Sequence, residues 1–407
     1  MLKFPKKRDS FQKKQPRLKN KKFKIQKPKT MKTYISIILS GVFFTGLCNA
    51  QVQGNESLKR EVQHAVSKGV KFLASKQEKD GRWGEENYPA LTGLVVQSIL
   101  GDPTREGVAL PESVTKGLDF IRSKVRLDGG IYGKGLGSYN TSICMMALLE
   151  AGQEKDQEII LNARKFLVNQ QSDFDRKGKT DNVFDGGVGY GSSYSHPDLS
   201  NTYHALEALH YTKDLVKDVP GDVLDLDWEA AITFVTNCQQ RPESNKADWV
   251  SKDAKDRGGF VYFPGKSMST EESADGKVAL RSYGSMSYAG LLSFVYADME
   301  KDDPRIVAVK DWLKKNYSIS QNPGMGPQGL YYYYNTMSKA LNILDVDQFV
   351  LDDGKKVNWR DQLTKKLFDL QKPDGSWTNE NGRWWEKDPV LTTCYSLLCL
   401  QRMYSRL

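Results

Sequence analysis

Two kinds of hydrophobic segment alternate along the chain. In the first, apolar residues recur three and four apart with Lys and Glu between them, as at Val62, Val66, Val70 and Leu73, ending on Gln77. That spacing predicts an amphipathic helix with one buried stripe. In the second, residues 89–100, 139–149, 282–297 and 389–400 contain no Asp, Glu, Lys or Arg at all. These read as helices apolar nearly all round. Between the two kinds lies a glycine turn with an aromatic or apolar residue: Asp80-Gly-Arg-Trp83, Asp128-Gly-Gly-Ile-Tyr132, Asp185-Gly-Gly-Val-Gly-Tyr190, Gly258-Gly-Phe-Val-Tyr262 and Asp374-Gly-Ser-Trp377. The plan recurs six times, the fifth unit using Val309–Leu313 and Tyr331–Leu341. Self-similarity at this spacing marks a repeat architecture.

A helix without a polar face must be covered on every side. Six charged helices outside and six apolar helices inside meet that demand if the pairs close into a ring. An open stack would leave its end pairs exposed and require polar caps. The last unit is as apolar as the others, which favours closure. The expected fold is all-α, a single toroid of six helical-hairpin repeats spanning residues 51–407.

Charge changes the picture only at the N-terminus. The formal net charge is +9, but residues 1–30 hold thirteen Lys/Arg against Asp9, and Lys32 adds one more. The rest of the chain therefore sits near −4. A nucleic-acid partner is not expected, because the basic residues do not belong to the folded part. Residues 31–50 have the form of a signal peptide: Lys32, an apolar run from Tyr34 to Leu47, and Cys48-Asn-Ala50 before Gln51. The expectation is translation from Met31, with 1–30 a mis-called extension, cleavage before Gln51, and a secreted or periplasmic protein without a stable membrane span. The remaining cysteines, Cys144, Cys238, Cys394 and Cys399, form no CxxC and read as buried small hydrophobes.

Lys68-Gly-Val-Lys-Phe-Leu-Ala-Ser-Lys-Gln77, followed by Asp80-Gly-Arg-Trp83, resembles the QW repeat of squalene–hopene cyclases. Gln371 with Gly375-Ser-Trp377 is a second copy, with Lys366 where an aromatic usually stands. The other repeats are degraded copies, and the resemblance covers about residues 58–403. The chain is thus similar to the terpenoid-cyclase and protein prenyltransferase superfamily. It also resembles secreted bacterial prenyltransferase and squalene oxidase repeat proteins, through Arg281-Ser-Tyr-Gly-Ser-Met-Ser-Tyr-Ala-Gly290 and Pro323-Gly-Met-Gly-Pro-Gln-Gly-Leu-Tyr-Tyr-Tyr-Tyr334. The resemblance implies an (α/α)6 toroid whose QW residues are structural, and a funnel lined by inner helices. It would place any activity in the isomerase or transferase class.

The chemistry of those relatives is only partly represented. Their cyclases protonate an alkene with the middle Asp of Asp-x-Asp-Asp-Thr at an inner-helix start. The matching segment here is Asp198-Leu-Ser-Asn-Thr202, with Ser200 in the acid's place. A serine hydroxyl cannot do that work, which leaves Asp198 as the candidate acid or, more simply, as the N-cap of the helix from Leu199. No metal or other cofactor is expected. The histidines are His64, His196, His204 and His210, and the late repeats have none. What remains is an aromatic mouth: Tyr139, Tyr194, Tyr283, Tyr288, Tyr332, Tyr334, Trp384 and Trp385 stand at or just before inner-helix starts. Four consecutive tyrosines, 331–334, cannot all face one helix's core. Such rings suit an apolar ligand, a lipid or a carbohydrate. Two readings follow. One is a cyclase or transferase relative binding a polyprenyl or triterpenoid ligand in an aromatic-lined cavity, with that cavity on the order of 300–1,000 Å³. The alternative is a non-catalytic module binding a ligand or partner, or a polysaccharide-active toroid.

Overall fold

The computed structural model describes residues 48–105, 107–191, 196–217, 225–272, 278–351 and 354–407, with side chains from Glu56 onward. Tyr194 and the expectations for residues 1–47 lie outside the described residues. The outer helices are α1 (Cys48–Ser75), α3 (Glu112–Ser123), α5 (Gln157–Val168), α7 (Trp228–Asn237), α9 (Pro304–Lys315) and α11 (Trp359–Leu370). The inner helices are α2 (Ala90–Leu100), α4 (Gly137–Ala151), α6 (Leu199–Tyr211), α8 (Gly284–Tyr296), α10 (Leu330–Ile343) and α12 (Pro389–Tyr404). Each inner helix packs on the next, and α12 packs back on α2. Two short antiparallel hairpins, β1 (Ser269–Glu272) with β2 (Val278–Arg281) and β3 (Gln348–Val350) with β4 (Lys356–Asn358), decorate the ring. Among the described residues no helix is long and apolar enough to cross a membrane.

The repeat residues account for the closure. Gln77 donates to Gly81 O (2.9 Å) in its own turn and to Ser113 O (2.8 Å) at the start of the next outer helix. Gln371 does the same to Gly375 O (3.0 Å) and to Ala65 O (2.9 Å), so the sixth unit is tied to the first. The turn glycine is needed at each of these joints. Gly375 has φ +91°, and a Cβ there would lie 2.5 Å from Lys68 O of α1. No L side chain fits that position. Trp83 and Trp377 are fully buried, and their indoles donate to Leu73 O and Leu367 O at 2.7 Å. The residue after each glycine turn is also pinned to its inner helix. The amides of Trp83, Ile131, Val188, Phe260 and Trp377 donate to hydroxyls of Thr92, Thr141, Thr202, Ser287 and Thr393 at 2.9–3.1 Å.

Inner-helix starts are capped across repeats. Asn140 of α4 accepts from Ala90 N of α2 (3.0 Å), and Asn322 accepts from Ser285 N of α8 (3.0 Å). Glu386 accepts from Tyr332 N of α10 (2.8 Å). A buried helix end needs such partners. The four cysteines are free and buried.

Candidate functional site

Asp198 stands at the start of α6 in extended conformation and is fully buried. One oxygen accepts from Asn201 N (2.9 Å), the other from the Asn201 side-chain amide (2.7 Å). Burial pushes its carboxyl up to about 6, against these two hydrogen bonds. Geometrically it is an N-cap, and it is not among the residues lining the space on the ring axis.

That space is small. It amounts to about 20 Å³, lined by Tyr139, His204, Glu207, Lys339, Tyr395 and Arg402 together with further polar and apolar residues of the inner helices. Room for roughly one water replaces the ligand-sized funnel expected from the sequence. Aromatic hydroxyls meet across its N-terminal end: Tyr332 OH lies 3.2 Å from Ser200 Oγ, and Tyr139 OH lies 3.4 Å from Tyr395 OH.

The lining is also more polar than the sequence suggested. Lys339 donates to Glu207 (2.5 Å) and to Tyr203 OH (2.8 Å), and Tyr296 OH donates to Glu207 (3.2 Å). Burial favours the neutral form of Glu207, but Lys339 outweighs it and holds the carboxyl below its usual range. Burial lowers the Lys339 ammonium, with Glu207 opposing. His204 packs edge-on to Tyr139 at 4.7 Å. Burial drives its imidazole down to about 3, so it stays neutral, and its Nε2 has no partner. Arg402 donates to Asn335 Oδ1 (2.7 Å). These four residues were not singled out as an axial cluster. The available signal was an ionisable residue inside an otherwise apolar inner segment, His204-Ala-Leu-Glu207 in α6 and Lys339 in α10.

The aromatic residues expected at one mouth divide into three groups. Tyr139 lines the axial space, and Tyr332 lies beside it, its ring 6.4 Å from that of His204. Tyr283, Tyr288 and Tyr334 are buried: Tyr288 packs on Tyr333 at 5.7 Å, and Tyr334 OH donates to Ile319 O (2.5 Å). Trp384 and Trp385 lie on the surface, 43% and 60% exposed. Tyr283 lies within electrostatic reach of Asp198 and Tyr332, whereas Trp384 and Trp385 stand on the surface.

The two surface tryptophans are held deliberately. Both have left-handed backbone, φ 54° and 65°, a conformation costly for a bulky residue. Their loop is clamped from below. Asn379 donates to Pro327 O (2.7 Å) and to the buried Glu386 carboxylate (2.6 Å), while Glu386 caps α10. Asp388 N closes the loop onto Trp385 O (2.8 Å). Arg383 lies over the Trp384 ring at 4.8 Å, and Trp385 meets Tyr88 of the first repeat at 5.4 Å. Strain kept in place by buried contacts is a pointer to function.

No family model matches the sequence. Solved structures do. Type II terpene cyclase MstE from Scytonema matches with TM-score 0.50 and 12% identity, over 86% of this chain and 99% of that one. A variant of it in complex with its substrate, geranylgeranyl dihydroxybenzoate, matches with TM-score 0.49 and 12% identity over the same shares. The GH76A alpha-1,6-mannanase from Salegentibacter sp. matches with TM-score 0.50 and 13% identity, over 85% of this chain and 99% of that one. One architecture thus carries terpenoid and sugar chemistry alike, and this chain has that terpenoid cyclase-like α/α toroid fold.

Proposed function

We propose that this protein is a secreted, non-catalytic binding toroid that engages a carbohydrate through the indole pair Trp384–Trp385 on its rim. The observation that carries this reading is the exposure of two adjacent tryptophans on a loop anchored by Glu386 and Asn379. Rigid indoles present apolar faces at little entropic cost, and pyranose rings offer C–H faces that pack against them. The polyprenyl reading is less well supported. An apolar chain on the ring axis would have to displace tyrosine hydroxyls and lie against the Glu207–Lys339 pair, which costs free energy instead of gaining it. Export rests on the pattern of residues 31–50.

The test is affinity electrophoresis of the full chain in gels carrying soluble glycans, beside incubation with squalene and geranylgeranyl diphosphate. Retardation by a glycan, lost in Trp385→Ala at unchanged melting temperature, is the expected result. Turnover of either isoprenoid, or a Trp385→Ala variant retarded as strongly as the parent, would overturn the reading.

A further inference from the structure

Residues 238–283 separate α7 from α8, where residues 76–89 suffice between α1 and α2. A connection of that length in a compact ring tends to carry a binding function. It holds the β1–β2 hairpin and, beside it, a cleft of about 530 Å³, a volume within the range of ligand sites. One wall of the cleft is the stretch from Asp248 to Asp253. The other is the whole of β2, Val278 to Arg281.

The hydrogen bonds of β2 fix which of its sides borders the cleft. Arg281 O accepts from Ser267 Oγ (2.6 Å), on the side of β1. Leu280 O points the other way and accepts from Gln240 Nε2 (3.2 Å). Ser282 N, two residues on, points with it and donates to the Asp256 carboxylate (3.0 Å). Gln240 and Asp256 are buried, and each also holds the opposite wall. Ser251 N donates to Gln240 Oε1 (2.6 Å), and Ser251 Oγ donates to Asp256 (2.6 Å). The cleft therefore runs along the edge of β2 that β1 leaves open. Backbone groups alternate along a strand, so Leu280 N–H and Val278 C=O point to this same edge. Both face away from β1, and no other described residue bonds them. The side-chain wall is apolar. Trp249 is half-buried with its indole N–H enclosed and without an acceptor, so its side chain offers the cleft only carbon. Val250 and Ala279 stand with it.

We infer that this cleft takes an extended peptide segment of a partner protein, added as a further strand to the open edge of β2. A strand edge presents donors and acceptors at strand spacing, which a main chain matches and a sugar or acyl chain does not. One guest residue lying parallel to β2 at the level of Ala279 gives its N–H to Val278 O and receives Leu280 N–H on its C=O. Both open groups are satisfied at once. Gln240 and Asp256 close the ladder beyond Leu280, so the pairing is short. An apolar guest side chain against Trp249 and Val250 supplies the rest. The cleft shares no lining residue with the Trp384–Trp385 loop, and the inference does not rest on the rim reading.

The experiment uses the full chain and hexapeptides of Ser and Thr with one central guest residue, Val, Phe, Asp or Lys, acetylated and amidated at their ends. The Val and Phe peptides carry no charge, so the basic residues 1–30 do not attract them. These two should bind with a Kd below about 1 mM, and the Asp and Lys peptides about tenfold more weakly. Methylating the amides of the Phe peptide one at a time removes one donor per step, and at least one position should weaken binding about tenfold or more. Leu280→Pro deletes the open N–H without touching the β1–β2 ladder. It should weaken binding about tenfold while the melting temperature stays within a few degrees. Trp249→Ala should erase the preference for Phe over Asp. If neither neutral peptide binds below about 1 mM, or if no methylated amide weakens binding, the strand-edge assignment is overturned. Should Leu280→Pro fail to fold, the methylated peptides decide against the parent chain alone. Glycan retardation should be the same in Leu280→Pro and Trp249→Ala as in the parent, so failure here and failure of the rim reading are read from separate measurements.

Discussion

Trp377 and Trp384 are seven residues apart and sit in opposite surroundings. The Trp377 indole is fully buried at the joint between α11 and α12, its N–H donated to Leu367 O. Trp384 lies in the open on a left-handed backbone, with Arg383 stacked on it. The difference follows from what surrounds each. Trp377 follows a glycine turn that presses against the neighbouring outer helix, so its ring has nowhere to go but inward. Trp384 is in a loop whose own anchor is polar, Glu386 on the α10 amides, and its ring lies over Gly329 at the start of α10 with its outer side in solvent. Residue type alone therefore does not separate a buried tryptophan from an exposed one. Its attachment does.

The first way to break that comparison is Trp377→Ala. Removing a fully buried indole together with its hydrogen bond should cost about 3–5 kcal/mol, read as a lower urea midpoint at unchanged slope. A loss below 1 kcal/mol would mean that the joint repacks, and the structural half of the comparison would fall.

The fold was legible because its signals are repeated. The Gln-Gly-Trp spacing and the charge-free segments recur, and each copy checks the others. The cap role of Asp198 was legible too, since an Asp before an apolar helix start has a local meaning. The site was harder to read for two physical reasons. Tyr283, Tyr288 and Tyr334 look the same in sequence whether they face a mouth or a neighbouring repeat, because azimuth around the ring is set by packing, not by position along the helix. The axial charges were hidden by the opposite problem. Glu207, Lys339 and Arg402 belong to three different repeats, and only closure of the ring brings them to one cavity. Their pairing is long-range, so no local pattern announces it.

A second interior group sharpens the contrast between buried and exposed polar chemistry. Asp198 is held by its own helix start, yet burial raises its carboxyl from 3.8 to about 6. The native state therefore keeps this proton to a higher pH than the unfolded chain does. Stability from it is fully present below about pH 4 and is lost as pH rises through about 6, for a total of about 3 kcal/mol. Asp198→Asn keeps an acceptor for Asn201 N and removes the titration. Its stability relative to the parent should rise between pH 4 and pH 7, measured by urea titration at each pH. A difference flat with pH would show that the carboxylate is ionised and fully compensated where it lies.

The smallest expected effect on stability comes from Trp384→Gly, and it bears most directly on the comparison. At φ 54° and ψ 36° a tryptophan bears the left-handed penalty, roughly 1–2 kcal/mol, which glycine does not. Glycine also gives the unfolded chain more freedom, which offsets part of that gain by about 0.4–1 kcal/mol. The stacked Arg383 is lost as well, a contact worth about 0.5–1 kcal/mol at an exposed site. These three contributions nearly cancel, and loss of the ring's packing on Gly329 adds a cost of about 1 kcal/mol, so the melting temperature should fall by no more than a few degrees. Glycan retardation, by contrast, should be lost, because the ring itself is the proposed contact. A structural tryptophan cannot behave this way, since at Trp377 stability and every other property would fall together. If Trp384→Gly lowers the melting temperature as far as Trp377→Ala does, the strained loop is part of the scaffold and the two tryptophans have one role.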